Sequence, residues 1–202
     1  MRIQRLKYCF ISTLLLVNSL GVSATEFSPQ KEVQEILDTI IELSHSTKPT
    51  EAQEAKFCRL FKEYIDTGYE FSNNLLGRFQ YKTSQANLET FYSIIPQYAC
   101  MKLRNIIPKD PNLTAKIKSI LNSSKKGFIA TIEFTTTGSR FNKVFFLIET
   151  LEDGNFLIKD ILFQSRSFIR TLRLDIQRYL RQVQFKGSKD PLLDLINEIT
   201  QN

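Results

Sequence analysis

The sequence predicts an α+β fold: a mostly helical N-terminal half packed on a curved four-stranded antiparallel sheet, then C-terminal helices, with an apolar cavity between sheet and helices. Three observations carry this. Apolar residues recur at helical spacing up to about Leu103, as in Val33, Ile36, Leu37, Ile40 and Ile41. After the Pro-containing linker Ile107-Pro108-Lys109-Asp110-Pro111 the period shortens to that of strands. From Ser167 it lengthens again: Phe168, Leu172, Ile176, Tyr179, Leu180 and Val183 share one helical face.

The elements follow in order. Ser28-Pro29 reads as an N-cap and first helical residue, and Ser44 to Pro49 as a polar break holding His45, the one histidine. Thr50 and Gln53 have capping-box spacing, opening a helix with Ala55, Cys58, Phe61, Tyr64 and Ile65 on its apolar face. Thr67-Gly68 stops or bends it, and Tyr69 to Leu76 is a short helix ending at Gly77. Ser84 to Leu103 is a long helix interrupted by Pro96, which predicts a kink or, failing that, two helices.

Strands are expected at about 113–121, 127–137, 141–151 and 155–164, with turns at Gly127, Gly138 and Asp153-Gly154. The second alternates cleanly through Phe128, Ala130, Ile132 and Phe134. The third, from Val144 to Ile148, and the fourth, around Phe156 to Phe163, are apolar on both faces, which predicts cover on both sides. Arg166, Arg170, Arg173, Gln177 and Arg181 form a polar, largely basic stripe on the next helix. Asp190-Pro191 opens the last one, with Leu192, Leu193, Leu195, Ile196 and Ile199 as its apolar contacts.

The 202 residues suffice for one domain with a core, and 42% apolar and 24% charged residues are ordinary for a globular chain. Residues 1–24 read as a secretory signal: Arg2, Arg5 and Lys7 precede an apolar run from Tyr8 to Val22, and Val22-Ser23-Ala24 is a small-residue cleavage site. Residues 25–202 are then the single mature domain. Cleavage leaves 24 basic and 21 acidic side chains, which, with export, argues against nucleic-acid binding. Cys58 and Cys100 remain in an oxidising compartment. They either form a disulfide or stand as buried thiols on neighbouring helices; spacing leaves both open.

Catalytic signatures are missing. One loop histidine and no Gly-x-Ser-x-Gly elbow make a hydrolytic triad improbable, and no glycine cluster exists for a phosphate loop. Glu149, Glu152 and Asp153 flank a hairpin and read as solvated turn charges. Sixteen Phe and no Trp, with two doubly apolar strands, point instead to an apolar cavity. Exposing two acyl chains of about 30 methylenes to water costs on the order of 20 kcal/mol, so a lipid carrier needs such a container and no catalytic group. Leu75, Phe79, Phe91, Ile95, Val144, Phe146, Ile148, Ile161, Phe163, Phe168 and Leu172 are the candidate lipid-lining residues. Arg166, Arg170 and Arg173 are candidates for headgroup or partner contact. No metal and no cofactor are expected.

Two stretches carry a family resemblance. Phe156, Asp160, Ile161, Phe163, Ser167, Phe168, Ile169 and Arg173 fall on the strand–turn–helix signature of the MlaC (toluene-tolerance) family of periplasmic phospholipid-binding proteins. Phe156 stands where that family usually has Trp, Ser165 where it has Gly, and Leu172 where it has Tyr. Leu76, Gly77, Phe79, Leu88, Phe91 and Tyr98 resemble the family's Leu-Gly-x-aromatic step and following long helix. The resemblance implies a soluble, monomeric periplasmic carrier, an auxiliary component of an ABC transporter. It would exchange phospholipid between an inner-membrane complex with an MCE-domain ring and an outer-membrane lipoprotein complex, maintaining outer-membrane lipid asymmetry. The rival is an exported NTF2-like or cystatin-like interaction module whose own side chains fill the interior. A cavity well above a few hundred Å³ favours the carrier.

Overall fold

A computed structural model describes residues 29–124, 127–137 and 143–201. The proposed signal segment 1–24, Ser28 and the Gly138 turn lie outside them. Six α-helices and five strands follow in the order α1 (Gln30–His45), α2 (Glu51–Tyr64), α3 (Tyr69–Leu76), a 3₁₀ helix (Gly77–Lys82), α4 (Gln85–Arg104), β1 (Thr114–Ser124), β2 (Gly127–Thr135), β3 (Lys143–Thr150), β4 (Phe156–Phe163), β5 (Arg166–Ser167), α5 (Phe168–Phe185) and α6 (Pro191–Gln201). The α+β class and the helix–sheet–helix order are as the sequence predicts.

The polar break after α1 begins later than expected. Ser44 and His45 belong to the helix and tie down the linker to the sheet. The buried Ser44 hydroxyl donates to the Pro108 and Asp110 carbonyls, and the Ser44 carbonyl accepts from Asp110 N at 3.0 Å. His45 Nε2 lies 2.8 Å from the Leu113 carbonyl oxygen. Asp110 continues the clamp, accepting from Asn112 N and Thr137 N, each at 2.9 Å, and from the Thr137 hydroxyl at 3.1 Å. The backbone donors from Asn112 and Thr137 hold its carboxyl below the usual carboxylate range.

Thr50 and Gln53 form the expected capping box. The α2 face is rotated from the sequence reading: Ala55 is exposed, and Phe57 and Leu60 are buried with Cys58 and Phe61. The helix stops at Tyr64, because Ile65 turns extended and forms a parallel bridge to Ile158 of β4. α3 ends at Gly77, as expected. Gly77 has φ +56°, and a Cβ there would come within 2.9 Å of the Gln177 amide nitrogen, so glycine answers both a backbone and a space requirement. α4 starts at the Ser84 cap and continues through Pro96 without ending. Cys58 and Cys100 are bonded to each other, joining α2 to α4 with Cα atoms 5.5 Å apart.

The sheet is antiparallel in the order β1-β2-β3-β4-β5. Four strands were expected; the fifth is two residues long and pairs only with Leu162 and Phe163. Its tight turn places Gln164 at φ +48° and Ser165 at φ +64°. Lys159 is a bulge: Leu147 pairs with Asp160, but Ile148 pairs with Ile158. The extra residue lets Phe156, Ile158 and Ile161 all face the helices.

Among the described residues, cover on both faces of β3 and β4 is not found. The helices pack on the face carrying Ala130, Ile132, Val144, Phe146, Ile148, Ile158 and Ile161. On the other face Phe145, Leu147, Leu157 and Leu162 are half-buried and lie outside the core. Cross-strand neighbours shield them instead: Phe145 stands opposite Leu162, and Leu147 opposite Ile129. In α6, Leu193 likewise points outward, while Leu192, Leu195 and Ile196 are buried.

Candidate lipid-binding interior

The apolar face of α1 meets the sheet beside α2 and the C-terminal end of α4. Two adjoining clefts remain at this junction. The first, of about 20 Å³, lies among Ile36 and Ile40 of α1, Phe57, Leu60 and Phe61 of α2, Ile65, Leu103 and Ile161. The second, of about 30 Å³, lies among Ile40, Leu103, the Ile106-Ile107-Pro108 turn, and Phe134, Val144, Phe146, Ile161 and Phe163 of the sheet. Ile40, Leu103 and Ile161 are shared, so the two are neighbours. No polar or charged side chain lines either one. Each holds about the volume of one water molecule, and a dry, methyl-lined gap offers water no partners.

Drug-sized ligands occupy pockets of about 300–1,000 Å³. Both clefts are far smaller, so a cavity well above a few hundred Å³, which would favour the carrier, is not seen at this junction. Its closure comes from helix α1, whose Ile36 and Ile40 reach across the gap, and from the linker, which Ser44 and Asp110 hold against the end of α1.

Among the candidate lining residues, Val144, Phe146, Ile161 and Phe163 border the clefts. Ile148 is buried on the same sheet face. Leu75, Phe79, Phe91, Ile95, Phe168 and Leu172 are buried in packed core and border neither cleft. The sequence reading missed the α1, α2 and linker contributions. The signal was present: Ile106-Ile107-Pro108 is an apolar linker, and the Ile36–Ile40 stripe had no assigned partner.

Arg166, Arg170 and Arg173 are exposed and form no ion pair among the described residues. Arg166 stands opposite Phe163 in the ladder, which puts the start of this basic stripe at the edge of the second cleft. Asp160 and Lys159, the polar residues within β4, have structural duties. Asp160 accepts from Ile161 N at 2.8 Å and Ile169 N at 3.2 Å, anchoring the first turn of α5 beside the Ser167 cap. Lys159 reaches Asp66 at 2.5 Å and Glu149 at 3.5 Å.

A wider groove of about 320 Å³ lies between Glu32, Glu63 and Tyr64 and the β3–β4 hairpin. The Tyr64 ring stacks on Phe156 with centroids 5.4 Å apart. Burial, then the Glu63 carboxylate, pushes its phenol above the ordinary value, keeping it protonated. Among the described residues no group of three or more His, Cys, Asp and Glu could hold a metal ion.

No family model matches the chain, and no curated protein matches it. The fold is shared with a solved structure, the phospholipid-binding protein from Ralstonia solanacearum in complex with a phospholipid. The TM-score is 0.54 at 13% identity, covering 85% of this chain and 96% of that one.

Proposed function

We propose that this protein binds phospholipid, housing acyl chains between α1, the C-terminal end of α4 and the helix-facing side of the sheet. The observation that carries the reading is the pair of adjoining clefts with wholly apolar walls, sited where helices and sheet meet in a fold shared with a phospholipid-bound protein. Lipid entry requires these walls to part. Ser44 and Asp110 fasten the linker to the end of α1, so the two would swing together, once the Asp110 contacts with Thr137 beyond β2 release, while the disulfide keeps α2 against α4. Apolar walls without a catalytic cluster support binding rather than catalysis. Arg166, opposite Phe163 at the edge of the second cleft, supports a headgroup contact there, with Arg170 and Arg173 following it along α5.

The resemblance to the MlaC family supports the finer proposal: a periplasmic, monomeric carrier between an inner-membrane ABC transporter complex with its MCE-domain ring and an outer-membrane lipoprotein complex. Capture of those complexes from detergent extracts by the purified protein tests that finer statement.

The closed interior favours one other reading, a filled NTF2-like or cystatin-like interaction module. Native mass spectrometry and organic extraction of the protein purified from bacteria separate the two. The carrier reading expects bound phospholipid, or its uptake from liposomes. A lipid-free monomer that takes up none overturns it.

A further inference from the structure

The end of the molecule away from Arg166 combines exposed rings with unpaired cations. The 3₁₀ helix Gly77–Lys82 is held at both ends. One end is fixed where Gly77 abuts Gln177, whose amide donates to the Leu75 carbonyl at 3.2 Å. The other is fixed where the Thr83 hydroxyl donates to the Asp190 carboxylate at 3.1 Å and Asn87 Nδ2 donates to it at 2.7 Å. These anchors bring Tyr81 to the same end as Phe185 and the α5–α6 turn. Phe185 is 94% exposed, Tyr81 83% and Leu193 43%.

Among the described residues every other phenylalanine is buried or half-buried, so rings left this bare call for a partner. The charge around them names its kind. Segments 77–83 and 177–190 carry Arg78, Lys82, Arg178, Arg181, Lys186 and Lys189 against a single acidic residue, Asp190. Arg178 pairs with Asp175; among the described residues the other five cations form no ion pair. Asp190 cannot neutralise them at close range, since its carboxylate already accepts from Thr83, Asn87, Leu192 N and Leu193 N. Apolar rings among uncompensated lysines and arginines complement a surface that is negative outside and hydrocarbon a few ångströms within. A partner surface that is acidic but carries no apolar patch would use the cations and leave the rings in water.

We propose that the tip formed by the 3₁₀ helix and the α5–α6 turn docks on anionic phospholipid membranes, with Phe185 and Tyr81 entering the headgroup layer and Arg78, Lys82, Arg181, Lys186 and Lys189 facing lipid phosphates. The proposal extends the phospholipid-binding reading by assigning the face that meets the bilayer. None of these residues borders the clefts, so docking and lipid loading can be measured apart.

The test is co-flotation of the whole protein with vesicles of phosphatidylcholine alone or mixed with phosphatidylglycerol, at low and high salt. Lipid content of each preparation is measured by extraction. Wild type is expected to float with phosphatidylglycerol vesicles, weakly with neutral ones, and less as salt rises. Phe185→Ser with Tyr81→Ser is expected to weaken binding by roughly tenfold or more, and Lys186→Gln with Lys189→Gln to reduce the preference for anionic vesicles. All variants should retain wild-type melting and lipid content. Equal flotation on neutral and anionic vesicles overturns the proposal. So does unchanged binding of the ring variant, which would identify a plain cationic patch suited to an acidic protein. Loss of docking in a lipid-loaded wild type sinks this proposal alone, whereas a lipid-free protein that still docks sinks the binding reading alone.

Discussion

Reducing the Cys58–Cys100 bond should cost this fold about 4 kcal/mol. The bond spans 42 positions. On the chain-entropy relation, a loop of that length removes about 13 cal/mol/K from the unfolded ensemble, or about 4 kcal/mol at 25 °C. For a domain of this size each kcal/mol shifts the melting temperature by roughly 2–4 °C, so reduction should lower it by roughly 8–16 °C. Both sulfurs lie in helices that are otherwise packed together, so the native state should change little on reduction. Thermal melts followed by circular dichroism, with and without a phosphine reductant, give the difference, and thiol titration confirms that the bond has opened. The variant Cys58→Ala with Cys100→Ala should melt near the reduced protein or somewhat below it, having lost two buried sulfurs as well. A fully reduced protein melting within about 2 °C of the oxidised one would refute the reasoning. The α2–α4 pair would then be so well ordered before folding that the cross-link removes no freedom.

Three smaller predictions follow from the clamp, the β4–β5 turn and the α3 terminus. Folding lowers the Asp110 pKa, so its ionised form stabilises the fold fully above the unfolded carboxyl range, and that contribution is lost as pH falls through the folded value. Asp110→Asn should therefore lower the urea midpoint at neutral pH and flatten its decline below about pH 4; an acid limb of unchanged steepness would count against this. Ser165→Gly should stabilise by about 1 kcal/mol, because a residue with a Cβ is held at φ +64°, and denaturant melts should show a raised midpoint. Gly77→Ala should destabilise by about 1–3 kcal/mol, from φ +56° and the 2.9 Å approach to Gln177; a melt equal to wild type would mean that Gln177 simply moves aside at no cost.

Local chemistry made most of the fold legible. Thr50 with Gln53, Ser84, Gly77 and Asp190-Pro191 each mark an element end, because a cap or a left-handed residue acts within a few positions of itself. Ser165 stands where the MlaC pattern that the sequence resembles has Gly, and its φ of +64° shows why glycine suits that place. Less legible was anything set by a partner distant in sequence. The two-residue β5 exists only because Phe163 lies opposite Arg166. Ser44 and His45 looked like loop residues because their partners, Pro108, Asp110 and Leu113, are more than 60 positions away. The candidate interior was only partly legible for the same reason. Phe79, Phe91, Phe168 and Leu172 are as apolar as Ile40 or Phe134, and apolarity alone does not say which of them face a seam between layers and which are packed solid. The doubly apolar strands misled in another way, since a sheet surface can shelter itself by pairing large side chains across strands.

The irregularity at Lys159 makes this residue numerically surplus to its strand. Striking it from the chain would leave Phe156, Ile158, Ile161 and Phe163 alternating inward and Leu157, Asp160 and Leu162 outward, the same facing they have now. A protein one residue shorter should thus close over the same interior, with a straighter fourth strand. What it would forfeit is the tether from that strand to Asp66, and with it one hold on the segment that follows α2.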